Sequence, residues 1–222
     1  MDELKSLVAS HSHNLSSDHL HKQLASIPLQ AWEEETPVLD LIIRETLRLA
    51  ITGAPSRRIV YGDLKIGGLT VKLGDFIVYS QADAHLDPEI YLNPLKFDPE
   101  RYSPGREEDQ KQANAYLAWG AGNNSPIFLF FHHDDMLTGR HPCAGMKVAK
   151  VEIKLVLASL LLGYDYKLVD SAGNQPNELP VQDRNDIHQV GFLESLFSLD
   201  LHCKKSRPVG NPVYLEFKRL VD

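Results

Sequence analysis

The sequence is poor in cysteine: only Cys143 and Cys203 occur among its 222 residues. A secreted scaffold stapled by several disulfides is therefore excluded, and any special role for a cysteine has to be chemical. Long apolar runs are missing as well. The longest, Ile127–Phe131 and Leu155–Leu162, fall short of the roughly 20 residues that a bilayer-crossing helix needs. The first 30 residues are polar, carry His11, His13, His19 and His21, and contain no apolar stretch of the signal-peptide kind. The chain accordingly reads as soluble, or as a soluble piece of something anchored elsewhere. Positive charge is not in excess either: the formal net charge is −7 and the pI about 5.8, so no nucleic-acid partner is expected. What remains, 43% hydrophobic and 24% charged residues, is the composition of an ordinary globular domain with one core.

Periodicity divides the chain. Residues 1–30 suggest a weak amphipathic helix followed by a polar loop. Thr36-Pro37 then supplies a hydroxyl N-cap and a first-turn proline, and Val38, Leu39, Ile42, Ile43, Leu47 and Leu49 recur at helical spacing, which predicts a helix over 36–50 ended by Gly53 and Pro55. Residues 57–79 switch to short β-type runs broken by Gly62-Asp63, Gly67-Gly68 and Gly74-Asp75, the chemistry of a small antiparallel sheet. Pro88, Pro94, Pro99 and Pro104 make 85–105 an ordered, irregular connector. A helix is predicted over 144–162, with Val148, Val151, Leu155, Ala158 and Leu162 on one face. A C-terminal β region follows over 164–222, with strands at 164–169 and 213–217. The fold class expected is mainly α with small antiparallel sheets.

Four motifs occur in one order. Glu45-Thr46-Leu47-Arg48 puts an acid and a base at i and i+3 on one helix face; a lone pair of this kind is usually solvated, but the apolar flanks here favour a buried, bidentate pair. His85-Leu86-Asp87-Pro88 leads to Pro99-Glu100-Arg101-Tyr102, where an arginine in a proline-fixed loop can reach back to a carboxylate. Trp119-Gly120-Ala121-Gly122 is followed by Arg140-His141-Pro142-Cys143-Ala144-Gly145, which runs into the 144–162 helix, so 119–145 forms an interrupted cysteine loop. A cysteine ahead of a helix N-terminus faces free N–H groups and the positive end of the dipole, and Arg140 and protonated His141 add charge of the same sign. All of these favour a thiolate, and Cys143 reads as a nucleophile or a metal ligand rather than an inert core residue.

Together, Glu-x-x-Arg, Pro-Glu-Arg-Tyr and the split Trp-Gly-Ala-Gly and Arg-His-Pro-Cys-Ala-Gly resemble the cytochrome P450 family in order and rough spacing, over about residues 25–222. Ile27-Pro28, Ala31-Trp32-Glu33 and Arg184-Asn185-Asp186 resemble fungal members most. The resemblance implies haem as cofactor, with Cys143 as axial thiolate to its iron and Arg140 and His141 beside it, His141 at a propionate. It also implies Glu45, Arg48 and Arg101 as a structural triad, Trp119 in the place of an aromatic near the ligand, and Gly120, Gly122 and Gly145 shaping the loop. Arg58 is a weaker second propionate contact. It further implies monooxygenation of a small apolar substrate, with electrons from NAD(P)H through a reductase docking near Lys147 and Lys150. Family members are often anchored in the endoplasmic reticulum membrane; neither such an anchor nor the family's central oxygen-binding helix is recognisable in this sequence.

The loop is interrupted by Asn123–Gly139, 17 residues whose deletion restores Trp-Gly-Ala-Gly-Arg-His-Pro-Cys-Ala-Gly. Gly-Asn and Thr-Gly codons can carry a GT donor and an AG acceptor, and 190–205 has similar ends, so both segments read as retained introns. His132-His133-Asp134-Asp135 and the N-terminal histidines lack ligand spacing on a rigid element and are not assigned a metal. Cys203, in the second segment, is given no role. Two further readings stay open. One is an inactive truncated or mis-spliced fragment without a competent haem site, and the chain alone is expected to be inactive. The other is an unrelated α+β interaction domain without haem.

Overall fold

The computed structural model describes residues 1–12, 19–51, 54–120, 143–177, 181–182, 208–209 and 213–220. Its described elements are mainly helical with small antiparallel sheets. They divide into two compact units, one of residues 1–43 and 145–222 and one of residues 44–144.

In the first unit, α1 (Asp2–His11), α2 (Leu20–Ser26) and α3 (Leu29–Glu34) precede α4 (Pro37–Ala50), whose residues from Arg44 onward belong to the second unit. The expected single helix and polar loop over 1–30 are thus corrected: α2 fills what the polar composition suggested was loop, because it packs against α1 and α6 (Met146–Gly163) with Leu24 and Ile27 buried. Thr36 is not a hydroxyl cap for α4. Its Oγ1 donates to the Trp32 carbonyl at 2.8 Å, and the free N–H groups of Val38 and Leu39 donate instead to the two carboxylate oxygens of Glu3, at 2.8 and 3.0 Å. A carboxylate there satisfies orphan donors and complements the dipole.

The long helix α6 buries the stripe its apolar residues suggest only in part: Ala158 is buried and Val151, Leu155 and Leu162 are half-buried. Val148 is 62% exposed, and the buried positions are Lys154, Ala158 and Gly163. Lys154 turns inward because its ammonium finds the Trp32 carbonyl at 2.8 Å and Asp40 Oδ2 at 2.9 Å. After α6, β5 (Tyr164–Val169) pairs antiparallel with β8 (Tyr214–Arg219), Tyr164 opposite Arg219 and Val169 opposite Tyr214, while β6 (Val181–Gln182) pairs with β7 (Pro208–Val209).

In the second unit, the single sheet expected over 57–79 is two two-stranded sheets. β1 (Ser56–Arg58) pairs with β4 (Phe76–Val78), and β2 (Leu64–Ile66) with β3 (Leu69–Val71). The β2–β3 turn needs Gly67 and Gly68, both at positive φ (54° and 80°), the pattern of a tight hairpin whose twist suits its strands. The connector 85–105 begins at the last residue of a short helix, α5 (Gln81–His85), and holds one 3-10 turn over Pro99–Tyr102. Its apolar core comprises Ile59, Ile90, Tyr91, Tyr102, Ala115 and Leu117, and inside it lie Glu45, Arg48, His85 and Arg101, each fully buried. Among the described residues, no helix is long and apolar enough to cross a membrane.

Candidate functional site

The second unit is built around one carboxylate. Glu45 and Arg48 share a face of α4 because a helix brings i and i+3 together. Arg48 donates from Nε to Glu45 Oε2 and from Nη2 to Oε1, each at 2.8 Å, the bidentate fork that guanidinium geometry favours. The 3-10 turn over Pro99–Tyr102 brings Arg101 Nε to Oε1 at 3.0 Å and the Tyr102 hydroxyl to Oε2 at 2.9 Å, while the Asp98 N–H donates to Oε1 at 3.0 Å. Burial alone would raise the pKa of Glu45; the Arg48 bonds and charge, the Asp98 N–H and the Tyr102 hydroxyl outweigh it and hold the carboxyl below its ordinary value. Burial, seconded by the Glu45 charge, pushes the Tyr102 phenol well above its own.

Two buried arginines against one carboxylate would leave a net positive charge inside, and the chain answers with Glu108. Arg101 Nη1 donates to Glu108 Oε2 at 2.5 Å, and Arg106 holds the other oxygen at 2.7 Å. The remaining Arg101 donors reach the Leu92 and Lys96 carbonyls, at 3.3 and 3.1 Å. Arg48 and Arg101 also stack over the ring of Tyr91, at 4.8 and 5.7 Å from its centre. Arg44 pairs with Asp109 and lies over the rings of Tyr102 and Tyr116. The outcome is a neutral, hydrogen-bonded lattice, the condition under which buried charge is tolerated.

The cysteine loop is approached from both ends. Gly120, at φ 86°, closes a turn by donating to the Leu117 carbonyl at 3.0 Å, a conformation that favours glycine. The Cys143 N–H then donates to the Trp119 carbonyl at 2.9 Å, so the two halves of the split motif meet although Asn123–Gly139 separates them in sequence. Cys143 carries a free, exposed thiol. Gly145 immediately precedes α6, and its carbonyl accepts from Ala149 N at 2.8 Å.

Of the residues singled out from sequence, Glu45, Arg48 and Arg101 are thus brought together, as are Trp119, Gly120 and Cys143. Arg58 is engaged within its own sheet, donating from Nε to the Gly74 carbonyl at 3.3 Å. Arg140, His141, Gly122, Cys203, His132–Asp135 and both suspected insertions, 123–139 and 190–205, lie outside the described residues. Among the described histidines, His11 pairs with Glu35 at 3.0 Å and His19 stacks on His21. Sequence reasoning missed Glu108, Arg106, Tyr102 and His85 as members of the site. Tyr102 and His85 stood in quoted motifs; nothing near Glu108 marks it out.

This geometry can be set beside known proteins. The sequence model of the family described as Cytochrome P450 matches residues 23–125. Cytochrome P450 monooxygenase AacuE of Aspergillus aculeatus is 32% identical over 182 residues, covering 79% of this chain and 32% of its own length. A sterol 14-demethylase of Arabidopsis thaliana is 31% identical over 175 residues, 76% of this chain and 30% of that protein. A retinoic-acid-bound cyanobacterial structure, CYP120A1, superposes with a TM-score of 0.55 at 21% identity, covering 99% of this chain and 39% of that one. The chain belongs to the cytochrome P450 family and has part of its fold. It spans about a third of the length of the curated relatives it matches.

The family is a haem family, and the described residues fit that group. An accessible free thiol is a soft donor suited to iron, and it sits on a loop tied by its own backbone to the Trp119 turn.

Proposed function

We propose that this chain serves haem-thiolate monooxygenation, with Cys143 as the residue whose thiolate would hold the haem iron and the lattice around Glu45 as the brace of the loop presenting it. The observation that carries this reading is the bond from the Cys143 N–H to the Trp119 carbonyl, which reunites the ligand motif across its interruption. Haem, when bound, supplies activation of dioxygen, and a thiolate ligand favours O–O cleavage. The protein's own residues do the rest. His141 would hold a propionate, Arg140 would add positive charge beside the thiolate, and Arg58 is a weaker candidate for a second propionate contact. Trp119 with Gly120, Gly122 and Gly145 shapes the loop, and Glu45, Arg48 and Arg101 hold the elements on which it rests.

Electrons come from NAD(P)H through a reductase, on a surface that includes Lys147 and Lys150. These pair with Glu33 and Asp40 at 3.9 and 3.8 Å, long enough for a partner's carboxylates to compete. The substrate is a small apolar molecule. The test is to express the chain with haem supply and to record the reduced, carbon-monoxide-bound spectrum. A thiolate-type Soret band that disappears in Cys143→Ala is expected; a folded chain that takes up no haem overturns the proposal. That second outcome is the signature of the alternative, a fragment without a competent haem site.

A further inference from the structure

We infer that His85 is a positioning residue, coupling the Glu45–Arg48 pair to the cysteine loop through its backbone carbonyl on one side and its imidazole on the other. The inference rests on the proposed role of Cys143 for its functional meaning, but not for its geometry. Arg48 uses Nε and Nη2 on Glu45 and sends Nη1 to the His85 carbonyl at 2.6 Å. From the ring of the same residue, Nε2 accepts the Leu117 N–H at 2.8 Å. The Leu117 carbonyl in turn receives Gly120 N at 3.0 Å and the Gln81 side-chain amide at 2.9 Å, and the Trp119 carbonyl between them takes the Cys143 N–H. One residue thus joins the buried carboxylate to the turn on which the thiol is hung, through bonds that are all on one side of the chain's division into units.

The arrangement fixes the chemistry of the ring. An N–H pointing at Nε2 requires that nitrogen to be an acceptor, so the proton must sit on Nδ1. Nδ1 is buried and makes no hydrogen bond, although the Ile51 and Arg48 backbones lie close to the ring. His85 is fully buried and stacked on Tyr116, with ring centres 5.5 Å apart. Burial foremost, and the Arg48 charge, hold its pKa down at about 4, so the acceptor form persists at neutral pH. An apolar ring would fill the same space and keep the stack, yet leave the Leu117 N–H without an acceptor at a position only 9% exposed.

A filling role and a positioning role therefore rank substitutions in opposite order. If His85 only fills space, His85→Phe is tolerated and His85→Gln is worse. If it positions the loop, Gln, whose side-chain oxygen can accept from Leu117, is the better replacement. The experiment is residue-resolved amide exchange on the full chain. In His85→Phe, exchange at Leu117, Gly120 and Cys143 is expected to rise roughly tenfold or more, as for loss of one buried hydrogen bond. In His85→Gln the same amides stay within about twofold of wild type. Equal protection in both variants, or better protection in Phe, overturns the inference. Should the Phe variant fail to fold, the wild-type ring decides: its 15N spectrum at neutral pH must show Nδ1–H with an unprotonated Nε2, and the other tautomer or a doubly protonated ring overturns it. Both readouts are independent of haem, so an absent Soret band in wild type would defeat the proposed function while leaving this test standing.

Discussion

Among the described residues, positive charge is buried in two places, and the problem is solved differently in each. Around Glu45, two arginines with no exposed side-chain surface meet two carboxylates, of which Glu45 is fully buried and Glu108 only 4% exposed, together with a phenol and backbone groups. In the other unit, a single lysine, Lys154, meets one backbone carbonyl and an aspartate whose side chain keeps 30% of its surface in water. The first is a closed lattice in which removing any member strands another charge in low dielectric. The second is an open pair whose survivor can turn to solvent or to Lys150, 3.8 Å from the other oxygen of Asp40. Closed lattices fix geometry, and open pairs only satisfy a helix at its packing face.

Substitutions should separate the two. Arg101→Leu leaves Glu45 and Glu108 facing a void without their shared cation, and we expect a loss of about 3–5 kcal/mol in urea unfolding. Acid is the next largest probe. His85 has a folded pKa below its unfolded one, about 4 against 6.5. The unfolded chain therefore binds the extra proton first, and stability present above pH 6.5 is lost as pH falls towards 4. That contribution is on the order of 3 kcal/mol over the window. Glu45 and Glu108, both held below their ordinary values, add losses in the same direction at lower pH. In His85→Gln the segment between pH 6.5 and 4 should flatten, which stability measured against pH will read.

Lys154→Met comes third, at about 1–3 kcal/mol, because only the Trp32 carbonyl is left dry. Glu3→Gln is smallest, at about 0.5–1 kcal/mol: the amide can still accept one N–H of α4 but no longer offers charge to its dipole. A thermal or urea series over these variants should preserve that order.

What was readable in the sequence follows the same contrast. Glu45 and Arg48 are one helical turn apart, Arg101 is pinned by prolines, and Cys143 stands before a helix, so local rules expose each of them. Lys154 was invisible because its partner Asp40 lies 114 positions away, and Glu3 because the N–H groups it caps are 35 and 36 positions on. The same blindness made Thr36 look like the cap and Val148 look like core: period and propensity register the side chain, not the distant carbonyl or carboxylate that turns a polar residue inward. Gly67-Gly68 announced its hairpin correctly, but nothing local could tell that β1 skips that hairpin to pair with β4.

We propose that the lattice around Glu45 holds the turn from which Cys143 is presented. Amide exchange at Cys143, compared between Arg101→Lys and Lys154→Met, tests it most directly, since the two variants disturb different buried cations. Faster exchange of the Cys143 N–H in Arg101→Lys, with the wild-type rate kept in Lys154→Met, is expected. Equal acceleration in both variants, or none in Arg101→Lys, would contradict it.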